Sequence, residues 1–153
     1  MTKGISIAAA VLVAACLAWT ANAEKKEEFK AKCPISGKPA QKSSAVDYKG
    51  GKVYFCCPGC PGAFKKDTAK YAAKANHQLA LTGQAKLVKC PVAGAKLNPD
   101  TAIDVAGVKV CFCCGGCKGK ATKVSGDEQI ELIFNDKAFA NGFKVAEAKK
   151  KEK

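Results

Sequence analysis

A cysteine pattern that occurs twice, at a fixed offset of 57 residues, constrains this 153-residue chain more than any other feature. Cys33-Pro34-Ile35-Ser36-Gly37 and Cys56-Cys57-Pro58-Gly59-Cys60 recur as Cys90-Pro91-Val92-Ala93-Gly94 and Cys113-Cys114-Gly115-Gly116-Cys117. Between them Val46, Asp47, Gly50, Lys52, Val53 and Phe55 correspond to Ile103, Asp104, Gly107, Lys109, Val110 and Phe112. Two copies of one thiol-bearing module are present, and one chemistry has to account for both.

Residues 1–23 have the parts of a secretory signal and are set aside from the fold. Lys3 gives the positive start, an apolar run follows to Trp19, and Ala21-Asn22-Ala23 is a small-residue cleavage site. Export with cleavage after Ala23 is the expectation. Val13-Ala14-Ala15-Cys16 offers the alternative of a lipoprotein anchored through Cys16, and an uncleaved anchor helix is a third reading. Each of them exports the modules.

Ten cysteines less Cys16 leave nine in the mature chain. The odd number weakens a plain disulfide framework. Each unit is small and rich in alanine, so it needs a metal or a disulfide to hold it together. All 26 basic residues are lysine, against 13 acids. With no arginine, bidentate reading of guanine or phosphate is excluded, and no nucleic-acid partner is expected. Lys32, Lys52, Lys89, Lys109 and Lys118 lie near the cysteines in sequence, where they could screen thiolates.

The expected architecture is α+β: two small tandem modules, each a β-hairpin followed by a helix, with a C-terminal strand and helix extension. Residues 24–31 form a charged lead-in, 32–75 the first module, 76–88 a linker, 89–146 the second module with its extension, and 147–153 a basic tail. In the first module, segments 45–48 and 52–55 flank Lys49-Gly50-Gly51, the pattern of a hairpin with a glycine turn. A helix over 58–75 follows, started by Pro58 and faced by Phe64, Thr68 and Tyr71. In the second, 102–105 and 108–112 repeat the hairpin, the following helix is shorter, residues 129–134 read as an extra strand, and 136–141 as a turn or two of helix.

Cys33 and Cys90 each open a Cys-Pro-x-x-Gly turn. Cys57 falls at the predicted helix N-cap and Cys60 three residues on, where backbone N–H groups and the helix dipole favour thiolate. Cys56 completes a four-sulfur set if the strand bends into the helix. The sets Cys33, Cys56, Cys57, Cys60 and Cys90, Cys113, Cys114, Cys117 are the candidate metal ligands, in the manner of compact four-cysteine zinc fingers. Zn(II) is the first choice, with Cu(I) or another soft metal as the alternative. Cys111 is either a further soft ligand or a small buried residue. His77, the single histidine, is expected at the surface of the linker.

Cys33 and Cys90, each followed by x22 and then Cys-x3-Cys, resemble the TRASH pattern of heavy-metal trafficking and sensing domains. Tyr48-x-Gly-Gly-Lys-Val-Tyr-Phe-Cys-Cys-Pro-Gly-Cys-x3-Phe resembles the related YHS domain. The resemblance covers about residues 32–75 and 89–121. It implies a treble-clef-like module with Cys33, Cys56 and Cys60 as ligands, and Cys90, Cys113 and Cys117 likewise. The chain departs from the Asp-Pro-x-Cys-Gly opening of many YHS domains. Cys57 and Cys114 are taken as fourth ligands, with a water or substrate position as the alternative.

The functional expectation is a non-enzymatic exported metal binder, in trafficking or sequestration, with metal ions and an envelope transporter or other envelope protein as partners. A disulfide-stapled adaptor of the envelope is the alternative, and thiol–disulfide exchange through Cys57-Pro58-Gly59-Cys60 or Cys114-Gly115-Gly116-Cys117 a third.

Overall fold

The computed structural model describes residues 29–146. Residues 1–23, with the expected leader and Cys16, and residues 147–153 lie outside them, as does most of the lead-in.

Each module begins with the same cysteine turn. Cys33 N–H donates to Lys38 O at 2.8 Å and Gly37 N–H to Cys33 O at 2.9 Å; Cys90 N–H donates to Ala95 O at 2.9 Å and Gly94 N–H to Cys90 O at 2.7 Å. Gly37 and Gly94 sit at φ +70° and +66°, the left-handed conformation that glycine adopts without strain.

A hairpin follows in each. Strand β1 (Gln41–Tyr48) pairs antiparallel with β2 (Gly51–Phe55). After a short strand β3 (Ala85–Leu87), β4 (Asn98–Val105) pairs with β5 (Val108–Phe112). The two-residue turns Lys49-Gly50 and Ala106-Gly107 have positive φ at both positions, the type I′ geometry that matches strand twist. Both hairpins carry an irregularity at the same place, between Gln41 and Ala45 and between Asn98 and Ile103. In the second, Thr101 Oγ1 occupies it, accepting from Phe112 N–H at 2.8 Å, with the Phe112 and Asn98 carbonyls at 2.7 and 2.6 Å. Ser44, its counterpart, instead donates to the Cys57 carbonyl at 3.1 Å. Strands β2 and β5 alternate identically: Val53, Phe55, Val110 and Phe112 are fully buried, and Lys52 and Lys109 exposed.

The helix predicted over 58–75 is two helices. Helix α1 (Gly59–Lys66) ends at Asp67, whose carboxylate caps α2 (Thr68–Leu81) by accepting from Lys70 N–H at 3.1 Å. The residues expected to be a linker therefore begin with the last turns of α2 and go on to β3. Ala75, Asn76, Gln78 and Leu79 are buried there almost completely. The alanines Ala72, Ala73 and Ala75 let this helix lie close to both hairpins, and it is the central element of the fold.

The second module has helix α3 (Gly115–Thr122), the same length as α1. The predicted strand at 129–134 is helical, within α4 (Gly126–Phe134). Six residues fit a period of 2 or 3.6 equally well, and packing decides: Ile133 and Phe134 are fully buried, Ile130 packs beside them, and α4 lies on α2. Helix α5 (Asp136–Gly142) confirms the predicted helical turns, capped by Asn135. The extension's strand is β6 (Phe143–Val145), antiparallel to β3. One apolar cluster joins Val53, Phe55 and Phe64 of the first copy to Val110, Phe112, Phe134 and Phe143 of the second.

Candidate metal centre

Each module folds to bring a turn, a strand end and a helix start to one point. The turn places Cys33, the end of β2 hands the chain to Cys56, and the first turn of α1 carries Cys60. Their three sulfurs lie within 4.8 Å of one another, and those of Cys90, Cys113 and Cys117 do the same. The Cys56–Cys60 and Cys113–Cys117 Sγ distances are both 3.7 Å. A tetrahedral ion with Zn–S bonds of about 2.3 Å has S···S edges of about 3.8 Å. The donor sets therefore fit a thiophilic ion with little movement.

Cys33 and Cys90 are buried, and Cys56, Cys60, Cys113 and Cys117 half-buried. Burial pushes the Cys33 thiol up, but N–H groups of Ser36, Cys56 and Ile35 and the Ser36 hydroxyl outweigh it and bring the thiol to about 7. Burial is likewise overcome at Cys90, which the N–H groups of Cys113, Ala93 and Val92 hold low. The helix thiols run the other way. Cys60 is raised, first by its contact with Cys57 and then by burial, and burial with the neighbouring sulfurs takes Cys117 up to about 12. A metal ion bound there would supply the positive charge that lets all three ionise together.

The helix terminus lowers Cys57, as the sequence implied, but not Cys60, which faces other sulfurs. Pro58, not Cys57, is the N-cap of α1, while Cys114 is the N-cap of α3. Cys57 is lowered by its contact with Cys60 and by the Cys60 and Gly59 N–H groups, Cys114 by the Cys117 N–H first. Both are exposed and stand just outside the three-sulfur groups. Cys57 Sγ lies 3.4 Å from Cys60 Sγ, and Cys114 Sγ 3.8 Å from Cys113 Sγ.

The modules differ at Ser36, whose hydroxyl is 3.1 Å from Cys56 Sγ; Ala93 takes its place in the second. Cys111 is outside the clustered thiols. Lys52, one of the lysines expected to screen thiolates, pairs with Asp47 at 2.9 Å. His77 is not at the surface: 9 % exposed, it sets Nε2 3.2 Å from the Val105 carbonyl and its ring edge-on to Phe134. No local pattern pointed to Gln78 and Gln84, whose amides pair with the outer edge of β2. Gln78 accepts from Tyr54 N–H at 2.6 Å and donates to the Tyr54 and Lys32 carbonyls at 2.8 and 2.7 Å; Gln84 accepts from Lys52 N–H at 2.7 Å and donates to Lys52 O at 2.8 Å. They fix the strand that delivers Cys56, and Gln78 also fixes the residue before Cys33.

No protein-family model, curated protein or solved structure matches the chain.

Proposed function

We propose that this is an exported, non-enzymatic metal-binding protein whose two cysteine clusters each hold one ion, in metal trafficking or sequestration. The observation that carries the reading is the doubled three-thiol group, with Sγ spacings of 3.7 Å in both copies. Cys33, Cys56 and Cys60 hold one ion and Cys90, Cys113 and Cys117 the other, with exposed Cys57 and Cys114 as fourth ligands. Zn(II) suits four thiolates and Cu(I) suits three. The bound ion supplies positive charge to thiolates that otherwise repel one another. The resemblance to TRASH and YHS domains and the leader-like residues 1–23 support the same reading, with an envelope metal transporter as the partner to which cargo passes.

Native mass spectrometry of protein purified from the exported compartment, beside a denatured thiol count, tests it. Two ions per chain with reduced cysteines are expected, and the mass of the ion separates zinc from copper. A metal-free chain lighter by two hydrogens per bridge would overturn the reading in favour of the disulfide-stapled adaptor.

One observation favours a second reading. The exposed Cys57 sulfur lies 3.4 Å from Cys60 and is held low while Cys60 is held high, the asymmetry of an exchange pair. Cys33→Ser discriminates, because exchange through Cys57 and Cys60 survives it and metal binding at that site does not.

A further inference from the structure

Behind the Cys33 turn, and lined in part by Cys33, Pro34 and Gly37 of that turn, lies a cavity of about 490 Å³. Lys30 and Lys32 line one side, Lys74, His77 and Leu81 of α2 another, with Ile130 of α4 and the β4–β5 turn completing it. Its volume is that of a small-molecule site.

His77 gives the cavity a directed polar group. The Val105 carbonyl can only accept, so Nε2, 3.2 Å away, carries the imidazole proton. Burial lowers the pKa of the ring and keeps it neutral, so Nδ1 presents a lone pair. Nε2···Val105 O is the one side-chain hydrogen bond of His77 among the described residues, and the Ala106 carbonyl also lies close to the ring. The His77 ring lines the cavity. Lys30 and Lys32 bring two ammonium groups, whereas Lys74 is paired with Asp127 at 2.7 Å. Leu81 and Ile130 supply apolar wall. In the second copy Phe134 stands at the position of His77, so the site occurs once per chain.

We propose that this cavity binds a small organic anion: a carboxylate at Lys30 and Lys32, an apolar body against Leu81 and Ile130, and a hydroxyl or amide N–H donating to His77 Nδ1. An inorganic anion would leave the apolar wall uncovered. Cys33 borders both this cavity and the proposed metal centre, so binding is read with the zinc content held constant.

The probes are mandelate, which combines carboxylate, apolar ring and hydroxyl, and phenylacetate, which lacks the hydroxyl. Each is titrated into the reduced, zinc-supplemented full-length protein and followed by NMR of the His77 ring and the Gly107 and Ile130 amides. Zinc content is read separately by native mass spectrometry. Mandelate is expected to shift these signals saturably at one equivalent and to bind about tenfold more tightly than phenylacetate, the value of one hydrogen bond in a desolvated site. The Lys30→Ala/Lys32→Ala double variant, with its amide spectrum otherwise unchanged, is expected to lose about another tenfold. No saturable shift up to about 10 mM of either probe, equal affinity for the two, or undiminished binding by the double variant would overturn the proposal.

Discussion

Lys49 and Asp136 meet at 2.6 Å although 87 residues separate them, tying the first hairpin's turn to the start of α5. Asp136 also accepts from Asn76 Nδ2 at 3.0 Å and from the Tyr48 hydroxyl at 3.5 Å, and Asn76 donates in turn to the Phe134 carbonyl at 2.8 Å. The Lys49 ammonium lies over the Tyr48 and Phe139 rings. Lys49 holds a left-handed φ of +50° at this turn, a conformation that costs a lysine free energy. The extension is thus latched to the first copy. Asp136→Ala is expected to lower stability by about 1 kcal/mol, because the carboxylate is largely exposed, and a double-mutant cycle with Lys49→Ala should give a smaller coupling. Urea unfolding of the four proteins measures both.

Cys33→Ser should reduce the native-mass stoichiometry from two ions to one without affecting the second site, and Cys90→Ser should do the converse. Cys57→Ser removes an exposed thiol outside the three-sulfur group and should preserve stoichiometry while accelerating loss of metal to a chelator. Loss of both ions in either turn variant would show that the sites are not separate.

Gln78→Ala should cost about 2–4 kcal/mol. The side chain is 1 % exposed and makes three hydrogen bonds to backbone, so its removal strands an N–H and two carbonyls in the interior. Thermal unfolding reads the loss. Metal retention at Cys56 should weaken with it, because the strand edge is no longer held.

Gly142→Ala tests how the extension supports the second site. A Cβ there would stand 2.8 Å from Pro91 Cα and 3.0 Å from Lys89 O, both backbone atoms, so the chain must shift. Gly142 O also accepts from the Val88 and Lys89 N–H groups. The overpacking should cost about 1–3 kcal/mol. Metal should leave the Cys90 site first, read by chelator competition against the Cys33 site.

His77 makes stability fall in acid. Burial lowers its folded pKa below the ordinary 6.5, so the unfolded chain takes up the proton first. The stability held by the neutral ring is present above pH 6.5 and is lost as pH falls from there through the lowered folded value. The melting temperature should drop over that window in the native protein, and His77→Gln should flatten the part of the drop that His77 causes. An identical slope in the variant would contradict the assignment.

The repeat determined much by itself. An uninterrupted offset over four cysteines and a glycine turn requires two copies of one local structure, and Gly50 and Gly107 mark each hairpin turn because glycine takes positive φ without strain. Short-range spacing was likewise enough to bring a turn cysteine, a strand-end cysteine and a helix cysteine together. Tertiary packing decided the rest. Residues 129–134 are helical because α2 offers Ile133 and Phe134 a surface, and residues 76–81 are helix rather than linker because Asp67 caps a second helix that both hairpins need. Which thiol is held low depends on the N–H groups the fold aims at each sulfur: Cys33 receives those of Ser36, Ile35 and Cys56, and Cys60 faces other sulfurs. His77 and the two glutamines act through partners that are distant in sequence, and local pattern carries no record of such contacts.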